Sequence, residues 1–248
     1  MSMKKYLFLI MAVFLFADEI QIYGGKIKLS NDNGIYKGVN YKSHSEDETI
    51  IYKIGLKKVN IFEMDIKQTE NFFSIKKETD LDKHLEFVFQ DIHNDVNNGN
   101  IYILNWYKTN KVDYKIGGSF SNYDKEKVYQ ISLEVNSFIY DTPFYIVPTY
   151  YSIFTKNNKN NYNSLSIKLG YIKGKNDVFL SFLGGKNKYL VTDDKYYSCN
   201  FGYITKYAYK FSYSYQLNLN YIVKLSYYNY KLVDNDLKAY NLAISYRY

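Results

Sequence analysis

From residue 18 onward, apolar and polar residues alternate with a period of two, so an extended chain would carry them on opposite faces. The clearest run is 128–136, where Tyr129, Ile131, Leu133 and Val135 oppose Gln130, Ser132, Glu134 and Asn136. In 164–171, Leu165, Ile167, Leu169 and Tyr171 oppose Ser164, Ser166, Lys168 and Gly170. Runs 50–57 and 112–121 read the same way, and turn-forming clusters at 122–126, 156–163, 173–177 and 234–236 separate such runs. Stretch 201–227 alternates for too long to be one strand, which predicts a turn within 212–218. In 81–92, Leu81, Leu85, Val88 and Ile92 have helical spacing, while Leu85, Phe87 and Phe89 have strand spacing; the neighbouring strands favour the latter.

Each run is about 9 to 12 residues, the length a tilted strand needs to cross a bilayer. A soluble sandwich or lipocalin-like barrel would also alternate. Against it stand aromatics gathered at the ends of the apolar runs, even strand spacing, and a polar face too rich in charge, serine and asparagine to fill a dry core. The expected fold is all-β: a closed antiparallel transmembrane β-barrel of about 14 strands, bracketed by 12 and 16, over residues 18–248. An even strand number puts both barrel termini on the periplasmic side. The longest polar loop, 156–163, is expected to face outside, and no long loop is expected to fold into the lumen.

Composition sharpens this picture. Hydrophobic residues make up 46% of the chain, yet mean hydropathy is −0.40. No run after the N-terminus reaches the roughly 18 apolar residues of a spanning helix. Tyr is unusually abundant, 31 against 16 Phe, and suits membrane interfaces, where its ring is apolar and its hydroxyl wet. The two prolines, Pro143 and Pro148, leave long strands possible, and the single Cys199 excludes a disulfide within the chain. At the start, Lys4 and Lys5 precede an apolar run from Tyr6 to Phe16, with Ala17 before Asp18 and Glu19. This order predicts a secretory signal peptide, 1–17, cleaved near Ala17.

In the last strand-like stretch, Tyr240, Leu242, Ile244, Tyr246 and Tyr248 alternate with Asn241, Ala243, Ser245 and Arg247. It resembles the closing strand of bacterial outer-membrane barrels, which implies recognition by barrel-assembly machinery. The stretch 216–248, QLNLNYIVKLSYYNYKLVDNDLKAYNLAISYRY, resembles the closing hairpin of YaiO-like outer-membrane proteins. The hairpins around 128–155 and 162–171 resemble that family in spacing. The likeness spans roughly the C-terminal half and is one of alternation. It implies an outer-membrane barrel of a Gram-negative bacterium and brings no catalytic residues with it.

Candidate chemistry is sparse. His44 and Ser45 are adjacent, so a strand sends them to opposite faces and no hydrolase triad forms. Asp91, His93 and Asp95 share a strand face, which a solvated loop end explains better than a protease rim or a metal site. No cofactor, metal or catalytic residue is expected. The lumen-lining candidates are Lys53, Lys115, Glu134, Lys168, Lys224 and Arg247, with Glu63, Asp65, Glu86 and Asp113 as further acids. The near balance of signs predicts weak or no anion preference. Inward Gly117, Ser119, Ser166 and Gly170 would keep a lumen open; Tyr145, Tyr151, Tyr228 and Tyr230 would fill it. The basic residues form no patch, which speaks against nucleic acid. The expected partners are outer-membrane lipids, including lipopolysaccharide; the oligomeric state is open. The expected function is a narrow passive channel for small polar solutes or ions. The alternatives are a non-conducting structural or surface-binding barrel and, third, an outer-membrane lipid hydrolase or protease.

Overall fold

The computed structural model describes residues 18–30, 32–62, 66–94, 98–157, 159–188, 190–191, 204–233 and 236–248. Among them the chain forms fourteen strands and no helix. The first seven are β1 (Glu19–Leu29), β2 (Asp32–His44), β3 (Ile50–Ile61), β4 (Ile66–Asp80), β5 (Lys83–Asn94), β6 (Gly99–Lys108) and β7 (Val112–Tyr123). The second seven are β8 (Lys127–Phe138), β9 (Phe144–Thr155), β10 (Asn161–Lys173), β11 (Asn176–Asn187), β12 (Thr205–Gln216), β13 (Tyr221–Leu232) and β14 (Asp236–Arg247). Each strand pairs antiparallel with its sequence neighbours, and β1 pairs with β14 from Glu19↔Arg247 to Leu29↔Leu237, closing the barrel. Closure leaves no edge strand, so the backbone polar groups are satisfied between neighbouring strands wherever the ladders run unbroken.

The period-two pattern sets the two faces. Tyr129, Ile131, Leu133, Leu165, Ile167, Leu242 and Ile244 all lie outward and exposed, Ile131 at 52%. Their polar neighbours in sequence turn inward: Gln130, Ser132 and Ser164 are buried. Water would have to hydrate this apolar exterior; a bilayer accepts it. Outward aromatics also meet across strands. Phe73, Phe89, Tyr102, Phe120, Tyr129 and Phe154 stand in one continuous cross-strand row from β4 to β9. Rings along it approach to 5.3 Å (Phe89–Tyr102) and 5.1 Å (Phe120–Tyr129). Near the terminal end, Tyr221 packs on Tyr246 at 4.9 Å and Phe144 on Tyr171 at 5.1 Å. Tyr248 lies beyond β14, with its ring edge-on to Tyr246.

Segment 83–94 is the strand β5, because a closed sheet on both sides overrides the helical spacing. The turn inside 201–227 falls at 217–220, between β12 and β13. Pro148, lacking an N–H, sits mid-strand in β9, and the β8–β9 ladder is interrupted between Glu134↔Thr149 and Ser137↔Ile146. At the end holding the termini, β10 and β11 are joined by Gly174 and Lys175 alone, with Gly174 at φ 58, open to glycine without strain.

The expectation about loops needs correction. The connection after β9 covers only 156–160, while 188–204, between β11 and β12 at the same end, the outer one opposite the termini, is longer. It begins with a bulge. Pairing of β11 with β12 shifts register between Gly184 and Asn187, and Gly185 sits at φ 108. A Cβ there would meet the Asn163 carbonyl oxygen at 2.5 Å, so only glycine fits. Beyond the bulge, Leu190 and Val191 are buried inside the barrel. Alternation had hidden this, because Tyr189, Val191 and Tyr203 extend the aromatic and aliphatic rhythm of the flanking strands.

The interior is therefore divided. Its outer end is packed with apolar residues. Tyr23, Ile27, Tyr36, Val59, Ile61 and Leu232 form one cluster. Ile92, Ile101, Val128, Ile153, Leu190 and Val191 belong to another. Charged side chains line the middle and the terminal end, and Asp32 and Glu126 are buried at the outer rim.

Candidate lumen site

Among the described residues, two cavities open on the lumen wall below the outer rim. The larger, about 260 Å³, is lined by β8, β9, β10, β11, β12 and β13. The register explains its wall. Lys168 of β10, Ser181 of β11, Lys210 of β12 and Tyr228 of β13 form one cross-strand row. One inward step toward the terminal end, Phe179 pairs with Ser212, and Ser212 with Ser226. One further step down, Asp177 pairs with Ser214, and Ser214 with Lys224. Small inward residues between the long ones leave space for three lysine side chains to converge on one ring. Lys210 Nζ lies 4.8 Å from the Phe179 centroid, Lys168 Nζ 5.4 Å and Lys224 Nζ 5.8 Å. Lys210 also lies 4.8 Å from the Tyr228 centroid. Such contacts contribute roughly 0.5–2 kcal/mol each, but they do not cancel the mutual repulsion of three ammonium groups. Acids on this wall are Glu134, which lines the cavity, and Asp177, which accepts a hydrogen bond from the Tyr145 hydroxyl at 3.4 Å.

The facing wall is different in kind. There each carboxylate is matched. Glu70 takes an ion pair from Lys57 at 2.8 Å and hydrogen bonds from Gln68 at 2.6 Å and Gln90 at 2.9 Å. Asn94 donates to Gln68 at 2.9 Å, extending the net toward the outer rim. Glu86 accepts from Tyr107 at 2.7 Å and Asn105 at 3.1 Å. On β8, where the two walls meet, Glu134 accepts from Thr149 at 3.2 Å and lies 3.6 Å from Lys115. The second cavity, about 190 Å³, borders this wall and includes Lys53, Glu86, Asn105, Gln130 and Val191. Gln130 holds the inward chain at that point: its amide donates to the Val191 carbonyl at 2.7 Å, and its oxygen accepts from the Val191 N–H at 3.1 Å.

Of the expected lining residues, Lys53, Lys115, Glu134, Lys168 and Lys224 lie inside, on two opposed walls. Arg247 stands at the terminal rim, exposed, 3.2 Å from Glu19 across the closing seam. Glu63 and Asp65 fall outside the described residues. Lys57, Glu70 and Lys210 were missed, although their parity within β3, β4 and β12 marks them as inward. Gly170 does not hold the lumen open: the Tyr145 ring occupies its space, where a Cβ would meet it at 1.9 Å. Gly117 similarly gives way to Asn105 and Ser132. Tyr145, Tyr151 and Tyr228 are buried within the barrel, and Tyr230 packs against both apolar clusters.

His93 pairs with Asp91 at 2.8 Å on the outward face of β5, near the outer rim; Asp95 lies outside the described residues. The His44 ring contacts Asp18 through Nδ1 at 2.9 Å, while the Ser43 hydroxyl donates to the His44 backbone carbonyl at 3.5 Å. Burial raises the Asp18 pKa, but the hydrogen bonds and charge of His44 outweigh it and hold the carboxyl below its ordinary value. Among the described residues no group of three or more His, Cys, Asp or Glu is arranged to hold a metal ion.

No family profile matches the chain, and no characterised protein matches it in sequence. Solved structures match its fold. Omp33 of Acinetobacter baumannii superposes with TM-score 0.58 at 10% identity, over 94% of this chain and 99% of that one. This is the fold of bacterial outer-membrane β-barrels. The CymD monoaromatic hydrocarbon channel superposes with TM-score 0.60 at 8% identity, covering 95% and 90%. The Ralstonia pickettii toluene transporter TbuX gives 0.58 at 8% identity, covering 95% and 91%. At such identities the likeness concerns architecture, and the lumen chemistry must be read from this barrel's own residues.

Proposed function

We propose that the protein is a narrow passive channel for small polar solutes or ions in the outer membrane of a Gram-negative bacterium. The observation that supports it is the charged, cavity-bearing middle of the lumen. A structural barrel could have filled that volume with apolar side chains; this one places lysines, carboxylates, amides and serines around two cavities. Fourteen strands give a backbone ring between the filled eight-stranded barrels and the open 16- to 18-stranded porins. The packed outer end and the inward Leu190–Val191 segment make the passage narrow. We place the chain near the YaiO-like proteins on the character of its closing hairpin, β13 and β14. The short turns beside the termini would face the periplasm and the longer 188–204 connection the exterior, where lipopolysaccharide is the neighbouring lipid.

Planar-bilayer recording of the refolded protein tests the reading. Reproducible small conductance steps are the expected result. Silence across many insertions of a barrel with heat-modifiable gel migration would overturn it in favour of a structural barrel.

A further inference from the structure

We propose that Lys168, Lys210 and Lys224 form a binding site for a small, multiply charged oxyanion inside the lumen. The inference rests on the channel reading for its physiological sense, but the site is read from geometry alone. Three cations from three strands converge on the Phe179 ring, with Nζ-to-centroid distances of 5.4, 4.8 and 5.8 Å. They border a cavity of about 260 Å³, ample for a phosphate or a small polycarboxylate. Lys168 and Lys210 flank Ser181 in one cross-strand row, so their attachment points lie two strand spacings apart, roughly 10 Å, and their side chains can close on a ligand from both sides.

Charge distribution favours an anion specifically. Across the lumen Glu70 and Glu86 are already engaged by Lys57, Gln68, Gln90, Asn105 and Tyr107. Glu134, the acid on the cavity wall, leans toward Lys115 and Thr149. Asp177, in the Lys224 row, offsets one positive charge and leaves the wall with a net excess of cations. Like charges held together in a space of lowered dielectric repel, and an oxyanion among them relieves that repulsion while accepting several ammonium hydrogen bonds. Ser166 and Ser181, hydroxyl to hydroxyl at 3.3 Å, add neutral donors on the same wall. The near-equal count of lumen acids and bases therefore conceals their separation, and a weak or absent anion preference is not what this arrangement supports.

The test uses inorganic phosphate and the refolded full barrel in detergent micelles, read by broadening of the phosphate ³¹P resonance, with bilayer recording as a second arm. Saturable broadening is expected for the wild type. Lys168→Gln and Lys210→Gln should each weaken it roughly tenfold, the loss of one charge-assisted contact. Lys156→Gln, at an exposed loop position, should leave it unchanged. All three substitutions remove a cation without adding bulk, and heat-modifiable migration verifies that each variant folds. In bilayers under a salt gradient, the wild-type reversal potential should report anion selectivity and Lys210→Glu should reverse its sign. Equal phosphate broadening in all variants, or none in the wild type, overturns the site whether or not the barrel conducts. Broadening lost in the lysine variants of a barrel that never conducts upholds the site and defeats the channel reading instead.

Discussion

Glu70 sits at the centre of a buried polar net. It is 3% exposed, and its two oxygens satisfy Lys57, Gln68 and Gln90 at once. Breaking a buried pair by removing one partner strands the other charge, so Glu70→Ala should destabilise the barrel by roughly 3 kcal/mol or more. Lys57→Met with Glu70→Leu, which removes both charges, should recover most of that loss. Urea unfolding of the refolded proteins in lipid vesicles gives the comparison; equal instability of the single and double variants would contradict it. A gentler effect belongs to Asp47, in the turn between β2 and β3. Hydrogen bonds from the Ser45 and Thr49 hydroxyls, then from the Thr49 amide, hold its carboxyl below the usual carboxylate range. A depressed folded-state pKa means the turn's bonding is intact above the ordinary value and is lost as pH falls through the lowered one. The Thr49 amide resonance should therefore titrate with a midpoint below the ordinary Asp value. A midpoint at that value would mean these hydrogen bonds do not persist in solution.

At the scale of strands, alternation decides which face meets lipid. Ile167 is outward on β10 and Ser166 inward beside it. Ile167→Lys should cost about 2–4 kcal/mol near mid-membrane and impair assembly, while Ser166→Lys should be far milder. Heat-modifiable migration of the two variants separates them, and equal behaviour would refute the facing. Much of this was legible from residues alone, because a closed sheet makes the side-chain period and the two solvents coincide: with polar Gln130, Ser132 and Glu134 turned inward, Tyr129, Ile131 and Leu133 face lipid. Alternation gives the face of a residue and not its neighbours. Lys168, Lys210 and Lys224 lie far apart in sequence, and only the β10–β13 register brings them to one ring. The inward turn of the chain after β11 was likewise invisible, since Val191 continues the apolar rhythm of the strand and the bulge before it shows only in the backbone at Gly185. Gly185→Ala should be destabilising both for its φ of 108 and for the 2.5 Å approach to Asn163. It should free the start of the 188–204 connection, measured as faster amide exchange at Val191.

Taken as a whole molecule, on the channel reading, the barrel separates what limits passage from what selects the solute. The narrow part lies toward the outer end, where Leu190 and Val191 join Ile92, Ile101 and Ile153 and where Gln130 fixes the Val191 backbone by two hydrogen bonds. The lysines lie lower, on strands that do not contain Gln130. Conductance and selectivity should then respond to different substitutions. Gln130→Ala removes both bonds to Val191 and shortens a lumen side chain, so single-channel conductance should rise by about twofold or more, given that pore width governs passage. The reversal potential under a salt gradient should stay at its wild-type value, because no charge has moved. Lys210→Gln should do the reverse, shifting the reversal potential while leaving conductance within a small factor. Bilayer recording of both variants side by side decides the matter. If Gln130→Ala changes selectivity as much as Lys210→Gln, the apolar outer end and the lysine wall act as one constriction, and the division of the lumen described above fails.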